Sequence, residues 1–448
     1  MDTRDLDPDV LALAQATTPR YGCRICDAPL IPVLDLGAQY LSDFPLVPGD
    51  PAHPPLPLEM VRCSGPTCGL VQLAHTTPKE WLYGEYWYRS GVNEAMRAEL
   101  LDVVVGGVRE LARSGLGPGN LLVGDIGAND GTLLSHYPKV LGRPKGLTRI
   151  AWEPAHNLYA ACRPHAELVF PEFFRVREPW PEKVHLLSMV ACFYDVDQPH
   201  QLVGDVAKLL HQDGVWVIQQ AYLPKMLEVG DFTNICHEHL EYYHLQSMRE
   251  LLAAHGLEVF HVEARAINGG SFRAYVGWRG RHPVDPSVLA MQEAEMPLVC
   301  APDHVWEGFA RQAHRTKSYL QAAVSAFAEV GGVVDLLGAS TKGNTLLQFC
   351  GLDRAFAGGV LRQVWERSPE KHGRYYGQSG LPIVSEEVGR ATKPKAGGLL
   401  LVIWPFRDSV ITRERAYLET GSVLIVPLPQ AEVHHFGGLN WKGLEGRT

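Results

Sequence analysis

The chain has 448 residues, of which 46% are hydrophobic and 20% are charged, a composition typical of a globular protein of about two to four domains. No apolar run approaches the ~20 residues that cross a bilayer, and the first residues lack a signal-peptide pattern, so we expect a cytoplasmic protein without a membrane partner. The net charge of -9 and the lack of basic blocks disfavour a nucleic-acid partner.

Cysteines are the first feature along the chain, after a patternless stretch of about 20 residues that predicts a loose leader. Four of the nine stand in two pairs, Cys23 with Cys26 and Cys63 with Cys68. Each pair can present two thiolates from a knuckle turn, and four thiolates suit a closed, structural Zn²⁺ site. The spacer exceeds the ~15–20 residues of a compact zinc ribbon, so a small subdomain must bring the pairs together. The alternative is four reduced thiols without a metal, like those that we expect to be buried elsewhere: Cys162, Cys192, Cys236, Cys300 and Cys350.

An aromatic stretch and a helix come next. Residues 79–93 are dense in aromatic side chains, which form either a core between domains or a pocket wall with its hydroxyl groups turned inward. The aromatic residues are Trp81, Tyr83, Tyr86, Trp87 and Tyr88. The apolar stripe of residues 93–113 predicts a helix that ends at the glycine-rich residues 115–119.

From about residue 121 to 280, apolar runs alternate with helical patterns, which predicts a doubly wound α/β sheet. We expect its strands at 121–125, 149–153, 166–170, 184–189, 214–219, 258–263 and 273–278. Ligands gather at the carboxyl ends of such strands, so the side chains that follow each strand are the first candidates for a site.

The first of these strands runs into the glycine turn Asp125-Ile-Gly127-Ala-Asn129-Asp130-Gly131. Its two glycines let the backbone take a positive φ and approach a ligand closely. The turn lacks the G-x-G-x-x-G spacing that seats a pyrophosphate, so a cationic ligand without phosphate fits better. The polar side chains of Asp125, Asn129 and Asp130 add acceptors around it.

Glu153 ends the second strand, 22 positions after Gly131. An acid about 20 positions after such a turn can accept both hydroxyls of a ribose, so the ligand should be a nucleoside. Together the turn and the acid resemble the S-adenosylmethionine site of class I methyltransferases. An ordinary α/β turn beside a solvated glutamate is the alternative.

Ionisable groups that packing does not require follow the fourth and fifth strands, in residues 189–197 and 231–244. The second segment holds three histidines and two glutamates within eight residues, beginning with His237, Glu238 and His239. The zinc signature His-Glu-x-x-His is absent, so a general base tuned by a neighbouring carboxylate is the better use of these groups. Surface histidines on a loop are the alternative.

The last third of the chain repeats the strand and glycine pattern. Residues 268–273 form either a turn or a backbone nest for an anion, and the proline-rich residues 281–302 predict a linker. A long helix is expected over 303–329. A strand, glycine turn and helix at 333–345, followed by strands at 361–365, 398–404 and 422–426, predict a second Rossmann-like domain.

The order of these motifs resembles that of the three-domain sugar C-methyltransferases from about residue 20 to 430. The resemblance is carried by the four cysteines, the glycine turn, His237-Glu-His239, the 268–273 turn, Gly338-Ala-Ser-Thr-Lys-Gly-Asn-Thr345 and Trp404-Pro-Phe-Arg407. It implies a zinc-binding domain over 1–78, a class I S-adenosylmethionine-dependent methyltransferase domain over 79–282, and a linker helix with a Rossmann-like substrate-binding domain over 283–448. It also implies S-adenosyl-L-methionine and structural Zn²⁺ as cofactors. The implied reaction is methyl transfer to the carbon beside the ketone of a nucleotide-linked deoxysugar. Neither the motifs nor the resemblance gives the oligomeric state; our expectation is a monomer.

The candidate site residues follow from the motifs and from the resemblance. For the metal we expect Cys23, Cys26, Cys63 and Cys68, and for the cofactor Asp125, Gly127, Asn129, Asp130, Gly131 and Glu153. The resemblance places Glu238 and His239 at the reacting centre, and we expect His239 to be the base, oriented by Glu238. Tyr88 or Tyr243 would donate to the enolate, with His237 beside them. The acceptor would contact Tyr86, Asn268, Ser271, Arg273, Lys342, Asn344 and Arg374.

The chain departs from the sugar enzymes at three positions. Cys236 stands where a tyrosine is expected, Ala191 where an asparagine is expected, and Asp195 where a histidine is expected. These departures concern the acceptor, so O- or N-methylation of another small molecule is an alternative. A nucleic-acid methyltransferase and a nucleoside binder without catalysis are the other two.

Overall fold

The computed structural model describes residues 17–116, 120–142, 146–177, 180, 182–299, 301–352, 359–392 and 397–435. Three sequence predictions lie outside these ranges: the leader before residue 17, the glycines at 117 and 119, and the buried thiol of Cys300. Across the described ranges, no helix combines the length and the apolar character needed to cross a membrane.

The N-terminal part contains two small antiparallel sheets beside the cysteine pairs. Its strands are β1 (Thr18–Pro19), β2 (Leu30–Gln39), β3 (Leu56–Cys63), β4 (Val71–Leu73) and β5 (His75–Thr76), of which β1 and β5 pair in a two-stranded sheet. In a four-stranded sheet, β2, β3 and β4 are joined by β11 (Glu241–Tyr242) from much later in the chain. Since Cys63 ends β3 and the first cysteine pair precedes β2, this sheet is the subdomain that the cysteine spacing requires.

The middle of the chain alternates strands with helices. Its strands are β6 (Leu121–Ile126), β7 (Leu147–Trp152), β8 (Leu168–Phe170), β9 (Val184–Val190), β10 (Leu210–Ala221), β12 (Leu257–Arg265) and β13 (Ser271–Trp278). Its helices are α1 (Lys79–Tyr83), α2 (Glu94–Arg113), α3 (Thr132–Val140), α4 (Tyr159–Cys162), α5 (Pro199–Leu209), α6 (Leu223–Val229) and α7 (Leu245–Ala253). The strands form a seven-stranded sheet in the order β12-β13-β10-β9-β6-β7-β8, with β13 antiparallel to its neighbours. This confirms the predicted class I methyltransferase sheet.

Strand β6 lies inside this sheet, between β9 and β7; it is mostly apolar, and all of its residues are buried. It runs parallel to β7 on one side and to β9 on the other, with Asp125 opposite Ala151 and Ser188. The three strands therefore end at the same edge, where the side chains that follow them meet.

The C-terminal part is a second seven-stranded sheet, in the order β16-β17-β15-β14-β18-β19-β20. Its strands are β14 (Val333–Leu337), β15 (Leu361–Glu366), β16 (Tyr375–Tyr376), β17 (Leu381–Ser385), β18 (Gly397–Leu401), β19 (Val423–Val426) and β20 (Glu432–His435). Its helices are α8 (Pro286–Val299), α9 (Asp303–Glu329), α10 (Thr341–Cys350), α11 (Glu386–Ala391) and α12 (Arg407–Leu418). The central strands β17, β15, β14, β18 and β19 are parallel, which confirms the predicted Rossmann-like architecture.

The linker predicted over 281–302 is wrong, because α8 occupies most of it. Pro286 begins the helix, where a missing N–H group costs nothing, so this proline does not oppose helix formation. The helix is held by the buried Glu295 carboxylate, which accepts from the amides of Leu245 and Gln246 at 2.6 and 3.1 Å. The domain boundaries at residues 78 and 282 stay predictions.

Candidate active site

The carboxyl ends of β6, β7, β9 and β10 open onto a cavity of about 2280 Å³. The aromatic residues 81–88 form one wall. Residues 338–342, which follow the strand Val333–Leu337 of the second seven-stranded sheet, and residues 365–368, at the end of the strand Leu361–Glu366, form another. Pockets for a single small ligand usually measure ~300–1,000 Å³. This cavity therefore has room for a cofactor and a second molecule.

The glycine turn lies at the edge of the cavity, and its residues Asp125, Gly127 and Asn129 are among those that line the cavity. Gly127 has a φ of 71°, and a Cβ atom there would stand 2.8 Å from the Cys192 sulfur. Both the backbone conformation and the space therefore require glycine at this position.

Asp130 and Gly131 shape the turn and do not line the cavity. Gly131 takes a left-handed conformation at the start of α3, with a φ of 77°. The Asp130 carboxylate accepts from the Gly91 amide at 2.8 Å, while the Asn129 amide group donates to the Tyr88 carbonyl at 3.0 Å. These contacts fix the aromatic wall over the turn.

Two buried carboxyl groups stand at the ends of β6 and β7. Asp125 accepts from the Ser188 hydroxyl at 2.6 Å, and burial raises the pKa of Asp125 to about 7. Glu153 accepts from the amides of Asn129 and Ala155 at 2.7 and 2.8 Å, and burial raises its pKa also. No lysine or arginine lies between residues 120 and 138. Carboxyl groups beside an aromatic wall suit a ribose and a cation, so the residues fit S-adenosylmethionine.

His239 lines the cavity with one ring nitrogen already engaged. Its Nδ1 lies 2.9 Å from the Asn234 carbonyl oxygen, which can only accept, so Nδ1 carries the proton. Nε2 makes no hydrogen bond within the described ranges. Burial, together with the charge of Lys342, lowers the pKa of His239 to about 4. The ring is therefore neutral at pH 7, with its free electron pair on Nε2.

Glu238 does not orient His239, contrary to the prediction. Its carboxyl group forms hydrogen bonds with the Cys236 thiol and the Thr341 hydroxyl, and burial raises its pKa. Its backbone carbonyl accepts from the Tyr83 hydroxyl at 3.0 Å. The Asn234 carbonyl has the orienting role instead.

The structure does not bring His237 and Tyr243 to the cavity. The Nε2 of His237 lies 3.2 Å from the carbonyl oxygen of Leu56 in β3, and the histidine is buried against the N-terminal sheet. The Tyr243 ring is fully buried and packs against Phe193, with 5.0 Å between the ring centroids. Contacts with distant parts of the chain turn both side chains away from the reacting centre.

Five of the seven predicted acceptor residues line the cavity: Tyr86, Asn268, Ser271, Lys342 and Arg374. The other two make structural contacts. The Asn344 amide donates to the Tyr40 carbonyl at 3.1 Å. Arg273 is buried and donates to Glu99 and Asp102 of α2 at 2.9 Å each, so it ties the sheet to that helix.

Lys371 lines the cavity and was not predicted. Its Nζ donates to the Ala339 carbonyl at 2.7 Å and lies 4.3 Å from the centroid of the Phe44 ring. Burial lowers the pKa of this lysine. No local motif marks it, because its neighbours come from two distant segments.

The four cysteines of the N-terminal part meet at one point, with all Sγ atoms within 4.8 Å of one another. The Sγ atoms of Cys23 and Cys68 are 3.7 Å apart, and those of Cys26 and Cys63 are 3.3 Å apart. Four sulfurs at ~2.3 Å from a tetrahedral Zn²⁺ stand ~3.8 Å from one another, so the cluster fits this ion. The Gly65 amide donates to the Cys63 sulfur at 3.2 Å, as a thiolate ligand favours.

Three family models match this chain in order along its length. Residues 23–83 match a zinc binding domain, residues 96–262 a methyltransferase domain, and residues 266–429 a C-methyltransferase C-terminal domain. The first match includes all four clustered cysteines, and the second includes the glycine turn. The third includes the whole of α8 and the second seven-stranded sheet as far as residue 429.

The curated relative C-methyltransferase NovU from Streptomyces niveus is 29% identical over 424 residues, which are 92% of this chain and 96% of NovU. Among solved structures, a SAM-dependent methyltransferase from Aquifex aeolicus is 17% identical and covers 42% of this chain and 94% of its own, with a TM-score of 0.31. Another from Clostridium acetobutylicum is 10% identical and covers 41% and 92%, with a TM-score of 0.32. At these values the two structures carry no argument about activity.

We expect Cys68→Ala to lose the bound Zn²⁺ and to lower Tm, because three thiolates no longer close the tetrahedron. Elemental analysis of the purified protein measures the metal directly. Cys162→Ala is the matched control, since it truncates another buried thiol outside the cluster and should keep its Zn²⁺. Equal zinc content in Cys68→Ala and the wild type would contradict the assignment.

The affinity for S-adenosylmethionine should fall as the pH drops below about 7, because protonation removes the negative charge of Asp125 from a site for a cation. The slope should be at most about tenfold per pH unit, as for one proton. Calorimetric titrations at several pH values measure it. Asp125→Asn should bind more weakly and with a flatter pH dependence; a wild-type affinity that is constant from about pH 6 to 8 rules out this role.

Proposed function

We propose that this chain uses S-adenosylmethionine to methylate the carbon beside the ketone of a nucleotide-linked deoxysugar. The proposal is supported by the matches to a zinc binding domain, a methyltransferase domain and a C-methyltransferase C-terminal domain, and by the 29% identity to C-methyltransferase NovU. The observation that carries the proposal is the neutral imidazole of His239, whose Nε2 makes no hydrogen bond within the described residues. It lies in the same cavity as the glycine turn. A proton beside a ketone can be removed by such a base when a donor stabilises the enolate oxygen.

Asp125, Asn129 and Glu153 would hold the nucleoside part of the cofactor, since they line the cavity at the ends of β6 and β7. When bound, S-adenosylmethionine supplies an electrophilic methyl group. The protein positions the acceptor carbon, which is the part that the cavity and its aromatic wall can provide.

His239 takes the proton of the acceptor carbon on Nε2 in this proposal. The Asn234 carbonyl, which holds the Nδ1 proton, also stabilises the positive charge that the ring gains. Lys342 disfavours that charge but is paired with Asp231 at 2.8 Å, which limits its effect. A negative enolate next to the ring offsets the remaining cost.

Two phenols of the aromatic wall have different places. Tyr86 lies among the carboxyl groups of Asp195 and Glu238, and burial raises the pKa of Tyr86 well above its usual range. Tyr88 is 42% exposed and lies near Asp130, and burial raises its pKa to about 12. Both phenols keep their protons at neutral pH. We assign Tyr86 to the acceptor and Tyr88 to the cofactor side of the cavity.

A nucleotide-linked acceptor needs cations for its phosphates, and the C-terminal wall offers them. Lys371 and Arg374 line the cavity, and neither forms an ion pair within the described part of the chain. The Arg374 guanidinium donates to the Phe44 carbonyl at 3.0 Å and lies 4.6 Å from the Trp87 ring centroid, which leaves further N–H groups for an anion. These two side chains support a diphosphate group between the two sheets.

We expect His239→Gln to slow methyl transfer to a nucleotide-linked 4-keto sugar by about 10²–10⁴-fold, because glutamine cannot accept the proton. The same variant should lose exchange of the acceptor's α-hydrogen in deuterated water, while its affinity for S-adenosylmethionine stays near that of the wild type. Wild-type exchange should decline with acidity only as the pH approaches about 4, where the base is protonated.

The control is His304→Gln, because His304 is an exposed residue of α9. This variant should keep wild-type rates. Near-normal methyl transfer by His239→Gln would exclude this histidine as the base. A wild-type protein that neither methylates nor exchanges any nucleotide-linked keto sugar would exclude the acceptor class.

A further inference from the structure

One ionisable side chain at the cavity has no part in the mechanism above. Asp195 ends the 3₁₀ turn 193–195 after β9 and lines the cavity. The ring of the preceding residue, Tyr194, packs edge-on against His239 with centroids 4.4 Å apart. The Oδ1 atom of Asp195 is buried and makes no hydrogen bond within the described residues. A buried polar atom without a partner at a cavity indicates a bound group that completes it.

The groups around Asp195 are acidic or neutral. Its charged neighbours are carboxylates, its hydrogen-bonding neighbour is a phenol, and no lysine or arginine is among the charges that act on it. Arg24 is directed to Glu241, at 3.4 Å. The titratable groups that face Asp195 are Glu238, Glu241, Tyr83, Tyr86, Tyr194, Tyr242, Cys192 and Cys236.

Two carboxyl groups that share a buried space without a cation cannot both ionise. Burial and the charge of Glu238 raise the pKa of Asp195 well above its usual range. Glu238 receives hydrogen bonds from Cys236 and Thr341, which favour its charged form. The shared proton therefore resides on Asp195, which becomes a donor at neutral pH.

We propose that Asp195, as a neutral carboxylic acid, donates a hydrogen bond to the carbonyl oxygen of the acceptor while His239 removes the neighbouring proton. This inference rests on the proposed function. The electron pair of the broken C–H bond forms a C=C bond, the carbonyl π pair moves to the oxygen, and the O–H of Asp195 stabilises that oxygen. When the carbon gains its methyl group, the carbonyl re-forms and Asp195 keeps its proton. The proton on His239 leaves to solvent.

We expect Asp195→Ala to lower kcat for methyl transfer and the rate of α-hydrogen exchange by about 10²–10³-fold, as for the loss of one oxyanion donor. The affinity for S-adenosylmethionine should not change. Asp195→Asn keeps the shape and an N–H donor, so it should be about tenfold faster than the alanine variant. In the wild type both rates should fall as the pH rises through the pKa of Asp195, and this alkaline decline should be absent in Asp195→Asn.

Asp197→Asn is the control, because Asp197 lies on the same loop and accepts from the Thr76 hydroxyl at 2.9 Å, as asparagine also can. It should keep wild-type rates. Infrared spectra give a readout independent of turnover. The wild-type minus Asp195→Asn difference spectrum at pH 7 should contain a protonated carboxyl band, because the other protonated carboxyl groups, such as Asp125, are common to both proteins and cancel.

Two results would overturn the assignment and leave the proposed function intact. One is that Asp195→Ala exchanges and methylates at wild-type rates; the other is that no protonated carboxyl band is attributable to Asp195 in the wild type. A wild-type protein inactive on every keto sugar would overturn the proposed function, and this inference with it. Loss of S-adenosylmethionine binding in both Asp195 variants would show a structural role and would also contradict the inference.

Discussion

The segment 231–243 is held from two sides, and the geometry of the cavity depends on it. Within it, β11 joins the N-terminal sheet, where the amide of Leu73 donates to the carbonyl of Leu240 at 2.9 Å. From the C-terminal half, Lys342 pairs with Asp231 at 2.8 Å, and the Thr345 hydroxyl donates to a carbonyl of the segment at 3.1 Å. His239 lies inside this clamp. The four cysteines do not line the cavity, but they lie beside the sheet that holds this segment, so the zinc site supports the proposed reacting centre through that sheet.

Burial decides which protonation states the cavity contains. In a low-dielectric space the charged forms are disfavoured, so the imidazole of His239 is neutral and the pKa of the Asp195 carboxyl group is raised well above its usual range. The proposed reaction uses both effects. A neutral base, His239, and a neutral acid, Asp195, can contact the same acceptor molecule. Opposite charges arise, on the imidazole ring and on the enolate, only when the proton moves from the acceptor carbon to His239. The cations of Lys371 and Arg374 lie on the C-terminal wall, where a phosphate can pair with them. One cavity thus combines an uncharged reacting centre with a charged anchoring wall.

Elements with a strong local signal could be predicted from the sequence. Helix α9 covers 303–329 as its apolar stripe indicates, and the strand and glycine turn at β6 follow from a buried run and two positive φ angles. Helix α8 was missed because its prolines resemble a linker. Side-chain roles failed where the partner is distant in sequence: His237 binds a carbonyl of β3, and Arg273 pairs with Glu99 of α2. Tertiary contacts of this kind leave no local pattern.

The most direct test of the account is to identify the atom that receives the methyl group. The protein would be supplied with S-adenosylmethionine carrying a ¹³C methyl group and with a nucleotide-linked 4-keto sugar labelled with ¹³C in its ring, and the product examined by NMR. The account predicts a one-bond ¹³C–¹³C coupling between the new methyl group and the ring carbon beside the ketone. A methyl resonance without that coupling, on oxygen or nitrogen, would contradict it.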